Sequence, residues 1–298
     1  MHQPLVRPNL GRSPSTAQDS RGIIDPGRFQ QRVTLTRYPP GPALAGLIEF
    51  FWLVSYQLPE GTVHSQQLIT HPCVNLSVAH GQVGDDGRPR PLEATLTGVP
   101  RRLYTRRIAG TGWAVAAKST PGGFGAFVTG SVADLTDRVI PPSRVLDLDD
   151  AALVAEVASA DAAAEQVAVL EKELTRLVEL ADPGRRRTAL EVAQVSAVAE
   201  RDRSIRKLTD LAAASGIGAR TLQRLFNEFA GISPTWVLRR YRLLDVAETV
   251  RHRQPVGWAQ VAADLGYSDQ AHLVRDFRSV VGTTPAAYAA AQQGGDRA

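Results

Sequence analysis

The sequence predicts an α+β protein of two domains, in which an antiparallel β domain is followed by an all-α region. Three observations support this fold class. Residues 30–120 contain short runs of β-branched and aromatic residues that are separated by Gly, Pro and Asp. From Asp150 onward, the apolar residues recur at helical spacing instead. Residues 201–298 contain one helical pattern twice.

The predicted strands lie in the segments RVTLTRY, GLIEFFWLVSYQL, QLITHPCVNLSVAH, EATLTGV and GWAVAAKST. Because no helical pattern intervenes, we expect an antiparallel barrel or sandwich. The glycines of TPGGF (120–124) are expected to allow a tight passage of the backbone from strand to helix. The domain prediction is a disordered tail at 1–28, a β domain with trailing helices at 29–182, and a second disordered tail at 291–298.

A long amphipathic helix is predicted after the strands, in DAAAEQVAVLEKELTRLVEL, with Asp161 as its N-cap. Its apolar stripe consists of Val167, Leu170, Leu174 and Leu177. The stripe packs either on the β domain or against a second copy of the chain, and the sequence leaves both readings open. The segment ADPGRRR (181–187) interrupts the helix and is predicted to be a linker.

Charge and cysteine content restrict the class of protein. The net charge is +4, but residues 201–298 hold 14 Lys and Arg against 9 Asp and Glu, whereas residues 1–200 hold 20 against 21. This distribution fits a C-terminal region that meets a polyanion, or simply a solvated basic surface. The single cysteine, Cys73, excludes an internal disulfide and fits a reducing cytoplasm. No apolar run approaches the roughly 20 residues of a membrane span, and the N-terminus lacks the apolar region of a secretory signal.

The C-terminal repeat predicts two helix-turn-helix units, at about 205–230 and 256–281. Arg224, Phe226, Gly231 and Ser233–Pro234 recur 51 residues later as Arg275, Phe277, Gly282 and Thr284–Pro285. The segment LAAASG (211–216) recurs as VAADLG (261–266), displaced by 50 residues. The difference of one residue falls in the turn, as expected of two copies of one supersecondary motif.

The second helix of each unit is predicted to expose polar residues. Leu222, Leu225 and Phe226 form the buried side of the first, which leaves Arg220, Gln223 and Arg224 outward. The corresponding outward residues of the second are Gln270, Ala271, Val274 and Arg275. Arg and Gln are the side chains that bind guanine and adenine edges in the major groove. The alternative is a helical bundle with two surface arginines.

The two segments LAAASGIGARTLQRLFNEFAGISPTWVLRRYRLLDVAETV and VAADLGYSDQAHLVRDFRSVVGTTPAAY resemble the DNA-binding domain of the AraC/XylS family of bacterial transcriptional regulators, over residues 188–290. The resemblance implies two helix-turn-helix units joined by a long helix at about Pro234 to His252. It implies base contacts from Arg220, Thr221, Gln223, Arg224, Gln270, Ala271, Val274 and Arg275. Phosphate contacts are expected from Ser268, Arg239, Arg240, Arg242 and Arg251. Two residues depart from the family pattern: Gly218 stands where a Ser- or Asp-like cap is usual, and Ala289 where arginine is common.

The segments THPCVNLSVAHG and AVAAKSTPGGFGAF resemble a cupin-like, jelly-roll β domain that precedes AraC-type DNA-binding regions. The resemblance implies a sensing or dimerising module and names no effector. Trp52, His71, Trp113 and Lys118 are candidate pocket residues, although residues of these kinds are more often part of a core or a surface. His64, His71, Cys73 and His80 suggest a metal site, but Pro72 interrupts them and no carboxylate lies nearby. No cofactor, metal or catalytic residue is therefore predicted.

The expected function is that of a cytoplasmic, sequence-specific transcriptional regulator, and the sequence leaves open whether it is an activator or a repressor. The expected partners are double-stranded DNA, a small-molecule effector, RNA polymerase if the protein is an activator, and a second copy of the chain. No membrane partner is expected. The alternatives are a cupin-type metalloenzyme fused to a DNA-binding anchor, and an architectural DNA-binding protein without sequence preference.

Overall fold

The structure is a computed structural model that describes residues 22–24, 26–252 and 256–295. Most of the tail predicted at 1–28 lies outside these residues, but the part that is described packs on the β domain. Ile23 is buried and forms a β-bridge with Leu68, and the N–H of Ile69 donates to the carbonyl of Gly22 at 2.7 Å. The predicted disordered tail therefore extends too far, because the apolar side chain of Ile23 is buried beside the edge of the sheet.

Seven strands of the described residues form one antiparallel sheet in the order β1-β2-β6-β4-β5-β7, with β3 paired to β6. They are β1 Val33–Tyr38, β2 Ile48–Gln57, β3 Val63–Leu68, β4 Asn75–Gln82, β5 Glu93–Thr97, β6 Tyr104–Ser119 and β7 Val139–Ile140. Strand β6 is central: β2 pairs with its residues 111–119 and β3 with its residues 104–109. The predicted antiparallel β domain is confirmed.

The two faces of the sheet have different partners. Helices α1 (Pro26–Gln30), α2 (Asp150–Ala158) and α3 (Ala163–Leu180) accompany the strands, and α4 (Pro183–Arg201) follows them. One face, with Phe51 and Val115 fully buried, belongs to a core that includes the apolar stripe of α3. Leu170 and Leu174 of that stripe are at most 1% exposed. The stripe therefore packs on the β domain, while the other face of the sheet lines a cavity.

The C-terminal domain consists of six α-helices among the described residues. They are α5 Leu208–Ser215, α6 Ala219–Leu225, α7 Pro234–His252, α8 Trp258–Asp264, α9 Gln270–Val281 and α10 Pro285–Gly295, and a π-helical turn, Phe226–Ala230, follows α6. Glycines at repeat-related positions take left-handed backbone angles: Gly216 and Gly266 have φ of 69° and 72°, and Gly231 and Gly282 have φ of 75° and 83°. These glycines give both units the same turns and helix ends. The predicted disordered tail at 291–298 is wrong for residues 291–295, which continue α10, and residues 296–298 lie outside the described part.

Two predicted boundaries differ from the structure. The segment ADPGRRR is a tight corner between α3 and α4 rather than a linker, because Asp182 caps α4 by accepting from the N–H of Arg185 at 2.7 Å. Arg185 in turn donates from Nε to the carbonyl of Gly125 at 2.8 Å, which holds the corner against the β domain. At the start of α3 the N-cap is Ala162 and not Asp161, since Glu165 accepts from the N–H of Ala162 at 3.2 Å.

The first helix-turn-helix unit is docked on the β domain. A Cβ added to Gly125 would lie 2.4 Å from the ring of Phe229, so the bare backbone of this glycine allows the π-helical turn to approach. The hydroxyl of Thr136 donates to the carbonyl of Gly231 at 2.7 Å, and that of Ser131 to the carbonyl of Asn227 at 3.3 Å. Gly125 directly follows the segment TPGGF, so the turn that this segment begins is also part of the contact between the two domains.

Candidate nucleic-acid interface and candidate effector cavity

The first candidate recognition helix, α6, separates buried from exposed residues as its sequence predicts. Leu222 and Leu225 are buried, whereas Arg220, Thr221, Gln223 and Arg224 are all exposed. The guanidinium of Arg224 lies 3.4 Å from the carboxylate of Glu228 and keeps 65% of its side-chain surface exposed. This exposed pair is weak. It leaves the arginine available to an external partner.

The second candidate recognition helix, α9, has the same division. Leu273 and Phe277 are fully buried, Gln270, Ala271 and Arg275 are exposed, and Val274 is half-buried. Asp269 caps the helix by accepting from the N–H of His272 at 2.7 Å, and this hydrogen bond holds the pKa of the Asp269 carboxyl below its usual value. The equivalent residue of the first unit, Gly218, makes no side-chain cap.

A buried carboxylate attaches the second unit to α7. Asp276, only 7% exposed, accepts from the hydroxyl of Tyr267 at 2.9 Å and forms an ion pair with the guanidinium of Arg239. Arg239 also donates to the hydroxyl of Ser279 at 2.7 Å. Burial, and then the neighbouring charge of Asp276, raise the pKa of the Tyr267 hydroxyl, so this group stays protonated and remains a donor.

The structure contradicts the phosphate contact expected of Arg240. This side chain is 1% exposed, and its Nη2 donates to the carbonyls of Arg101 and Pro100 in the β domain at 2.7 and 3.3 Å. Its guanidinium also lies 4.4 Å from the ring centroid of Trp236. Burial, and then repulsion from Arg239, lower the pKa of Arg240 to about 10. The arginine joins the two domains and is closed to a nucleic acid.

The other expected phosphate contacts have different environments. Arg239 is occupied by Asp276, as described above. Arg242 is half-buried, with its guanidinium 5.3 Å from the ring centroid of Tyr267, so it contributes to packing within the C-terminal domain. Ser268 is exposed immediately before α9. The side chain of Arg251 lies outside the described residues.

A cavity of about 210 Å³ lies on the face of the sheet that is turned away from α3. All four candidate pocket residues, Trp52, His71, Trp113 and Lys118, line it. Further lining residues were not predicted from the sequence, among them Val33, Leu35, Arg37, Phe50, Tyr56, Arg106 and Ile108. Alternation along the strands could have found them, because every second residue of β2 from Phe50 to Tyr56 faces the cavity.

The charged side chains that line this cavity are cationic. Lys118 is 8% exposed, and its ammonium lies 2.8 Å from the carboxylate of Glu49 and 4.8 Å from the ring centroid of Phe50. The guanidinium of Arg106 lies 5.3 Å from the ring centroid of Trp52, and its Nε is buried with no hydrogen-bond partner among the described residues. Arg37 lies 4.9 Å over Phe50. The cavity thus combines aromatic walls with positive charge.

The residues considered for a metal site are placed as packing residues. Among the described residues, no three His, Cys, Asp or Glu side chains are grouped as they would be to hold a metal ion. His64 is 3% exposed and lies 3.3 Å from the side-chain oxygen of Gln66. Cys73 is also buried, and burial raises the pKa of its thiol to about 11. A protonated, enclosed thiol is a poor metal ligand and a poor nucleophile.

Within the described part of the chain, none of the helices combines the length and the apolar character needed to traverse a lipid bilayer.

Family models match both domains. Residues 211–291 match a helix-turn-helix domain, and residues 36–141 match a domain of unknown function (DUF6597). The transcriptional activator NphR of Rhodococcus sp is 28% identical over 206 residues, which are 67% of this chain and 57% of NphR. The probable transcription factor PqrA of Proteus vulgaris is 32% identical over 82 residues, which are 28% of this chain and 66% of PqrA. The chain thus spans less than two thirds of the length of NphR.

Solved structures with a similar chain trace include two bacterial proteins. The C-terminal domain of AraT, a response regulator from Geobacillus stearothermophilus, is 20% identical and covers 34% of this chain and 84% of its own, with a TM-score of 0.32. ToxT from Vibrio cholerae is 8% identical and covers 80% of this chain and 97% of its own, with a TM-score of 0.41. The duplicated unit of the C-terminal domain and the matches to that domain in sequence are those of an AraC-type helix-turn-helix domain.

Proposed function

We propose that the protein is a sequence-specific transcriptional regulator that binds double-stranded DNA in the major groove through α6 and α9. One observation supports this most directly: two units related by an internal repeat expose Arg and Gln side chains on their second helices while burying equivalent apolar residues. Those side chains hydrogen-bond to base edges in the major groove. The names of the two curated relatives, a transcriptional activator and a probable transcription factor, agree with the proposal.

The two helices are proposed to make different kinds of base contact. Helix α6 presents Arg220, Gln223 and Arg224, which are suited to hydrogen bonds with guanine and adenine. Helix α9 has Ala271 and Val274 among its outward positions, beside Gln270 and Arg275. Small apolar side chains contact the methyl group of thymine. We therefore propose two half-sites about one helical turn apart, the second of which is recognised with fewer hydrogen bonds.

The cavity of the β domain is proposed to bind an effector, a small organic anion with an apolar body. The aromatic side chains of Phe50, Trp52 and Tyr56 would contact that body, and Arg106 and Lys118 would face its charge. Arg106 supports this choice because its Nε is a buried donor without a partner in the described residues. A buried donor that lacks a partner is unfavourable until an acceptor arrives.

Because the relative from Rhodococcus is named an activator, activation through RNA polymerase in the cytoplasm is the proposed outcome. A homodimer formed through the β domain is the proposed assembly. Effector occupancy would be transmitted to α6 through the contact between two turns, the one that begins at Gly122 and the π-helical turn that ends before Gly231.

A binding-site selection at fixed salt tests the DNA-binding proposal. Arg224→Ala is expected to lower affinity for the selected site by about 1–3 kcal/mol and to relax the preference at one or two base pairs. Arg275→Ala should do the same about one helical turn away. Arg144→Ala, which removes one exposed positive charge from the β domain, is the matched control and should leave the selected motif unchanged. An unchanged motif with Arg224→Ala and Arg275→Ala would contradict the proposed recognition helices.

The effector proposal is tested by thermal unfolding with a panel of small carboxylates and their uncharged amides. A ligand that binds only the folded protein raises the melting temperature. We expect carboxylates with apolar bodies to raise it and the matching amides to do so less. Arg106→Gln should reduce the difference between carboxylate and amide, whereas Arg144→Gln should preserve it. Equal shifts for the acids and the amides would contradict an anionic effector.

A further inference from the structure

A second, polar cleft of about 400 Å³ lies between the β domain and the C-terminal domain. We call it the interdomain cleft. Its polar lining comprises Arg101, Arg102 and Asp137 from the β domain and Arg239, Arg240 and Ser279 from the C-terminal domain. It is separate from the cavity of the sheet and from the exposed positions of α6 and α9.

Positive charge exceeds negative charge in the interdomain cleft. Arg101 is paired with Asp137 at 2.6 Å, and Arg239 is paired with the adjacent Asp276. Among the described residues, these ion pairs leave Arg102 and Arg240 without a carboxylate partner. Four guanidinium groups, those of Arg101, Arg102, Arg239 and Arg240, therefore face two carboxylates in that part of the structure, an excess of two positive charges.

One of these two charges is buried. Arg240 is 1% exposed, and its Nη1 is enclosed with no hydrogen-bond partner among the described residues. Enclosing a cation next to a second cation, here Arg239, is unfavourable, and the lowered pKa of Arg240 has these two causes. A bound anion would offset both effects, because it supplies acceptors and opposite charge at the same place.

The β-domain side of the cleft has an uncommon backbone conformation. Asp137 is the one residue other than glycine in the described part of the chain with a left-handed backbone angle, φ of 59°. In this conformation its carboxylate accepts from the backbone N–H of Arg101 at 2.7 Å and from the Nε of Arg101 at 2.6 Å. The aspartate thus fixes the segment that carries both Arg101 and Arg102. Such conformations are concentrated at ligand sites.

We propose that the interdomain cleft binds a small phosphate-bearing molecule that bridges the two domains. Guanidinium groups are the donors that suit phosphate oxygens, and Arg102 and Arg240 provide them from two sides, while Ser279 lines the same cleft and accepts from Arg239. The backbone phosphate of DNA is a poorer fit to this place. Ser279 lies nine residues beyond Gln270 on α9, about 14 Å along the helix from the first proposed base-contacting position, and Arg240 lines the cleft from a place where the β domain keeps a DNA backbone away.

The proposal is tested with inorganic phosphate as the probe. Thermal unfolding and calorimetric titration of the full chain, without DNA, are compared in phosphate and chloride at equal ionic strength. Phosphate should raise the melting temperature of the wild type and of the control Arg144→Gln. Arg102→Gln, an exposed position that should leave folding intact, is expected to weaken phosphate binding at least tenfold. Ser279→Ala should weaken it less and provides a second variant.

The source of the phosphate group is tested with adenosine monophosphate and adenosine. Tighter binding of the monophosphate than of both adenosine and inorganic phosphate indicates an organic phosphate, whereas equal binding of the two phosphates indicates the free ion. Two results would overturn the proposal. One is a melting temperature that phosphate does not raise above its value in chloride. The other is phosphate binding that both Arg102→Gln and Ser279→Ala leave unchanged.

Discussion

The two helix-turn-helix units share a sequence pattern but have different surroundings. The first is embedded in the molecule: Phe229 packs against Gly125, and Glu228 lies 3.2 Å from Arg185 of α4. The second is attached to α7 through the polar contacts of Asp276 with Tyr267 and Arg239. The first copy of the duplicated motif thus packs directly on the β domain, whereas a buried carboxylate ties the second copy to α7.

This difference shows how one domain can affect the two recognition helices unequally. The contacts of the first unit connect α6 to the turn at Gly122–Ala126, which follows strand β6 of the cavity. A change in the cavity therefore has a short packed route to α6. The second unit meets the β domain chiefly at the interdomain cleft, through Ser279 and Val280 at the end of α9 that is far from Gln270.

The largest expected effect comes from replacing the buried phenylalanine that occupies the equivalent position in each unit. Phe226→Ala and Phe277→Ala each remove a fully buried ring and should each destabilise their surroundings by about 3–5 kcal/mol. Phe226→Ala should weaken hydrogen-exchange protection in both the first unit and the β domain, since the first unit packs directly on the β domain. Phe277→Ala should lower the hydrogen-exchange protection of α8 and α9 and leave that of the β domain unchanged. Loss of protection in the same segments in both variants would contradict this comparison.

A smaller effect is expected from the docking contact alone. Gly125→Ala places a methyl group within 2.4 Å of the Phe229 ring and should lower the free energy of unfolding by about 1–3 kcal/mol through overpacking. Gly130→Ala, in the same connection, has no atom within 4 Å of the added carbon and is the control. Chemical denaturation of both variants measures the difference between their free energies of unfolding. Equal values would show that the π-helical turn moves to accommodate the methyl group without loss of stability.

Arg240→Ala tests whether this arginine joins the domains or contacts DNA. Its removal takes the side-chain donor from the carbonyl of Arg101, leaves that of Pro100 with the hydroxyl of Thr70 alone, and should cost about 1–3 kcal/mol of stability. The salt dependence of DNA binding should not change. If the slope of log K against log salt concentration instead becomes shallower by about one unit, Arg240 makes the phosphate contact expected from the sequence. Unfolding curves and salt titrations on the same samples give both quantities.

The smallest effect concerns the caps of the two recognition helices. Gly218→Ser should add a side-chain cap to α6 and stabilise it by a few tenths of a kcal/mol. In the second unit the cap depends on ionised Asp269, whose pKa is lowered in the folded state. The stability that this cap contributes is therefore fully present above the unfolded pKa of about 3.9. It is lost as the pH falls through the lower pKa of the folded state.

Hydrogen exchange across this pH range checks the cap prediction. Protection of α9 should decrease more than that of α6 on acidification, and Asp269→Asn should reduce that difference. The same acid response in α6 and α9 would show that the cap has no part in it.

Local sequence patterns predicted much of the cavity but not its charge. Trp52, Trp113 and Lys118 could be selected because aromatic and basic residues within strands are conspicuous. Arg37 and Arg106 were missed, because only strand pairing shows that they share a face with Trp52: Arg37 lies opposite Trp52 across β1 and β2. The register of a sheet depends on contacts between segments distant in the chain, which a single sequence does not display.

The sequence by itself determined the duplicated helix-turn-helix, because glycine stops, apolar spacing and outward Arg and Gln are properties of neighbouring residues. It also determined the order of the domains and the antiparallel character of the first. The role of Arg240 was decided by tertiary structure alone. Its acceptors are backbone carbonyls 139 and 140 residues away, which no side-chain pattern marks. A basic residue on a helix binds phosphate or joins domains according to what the fold places opposite it.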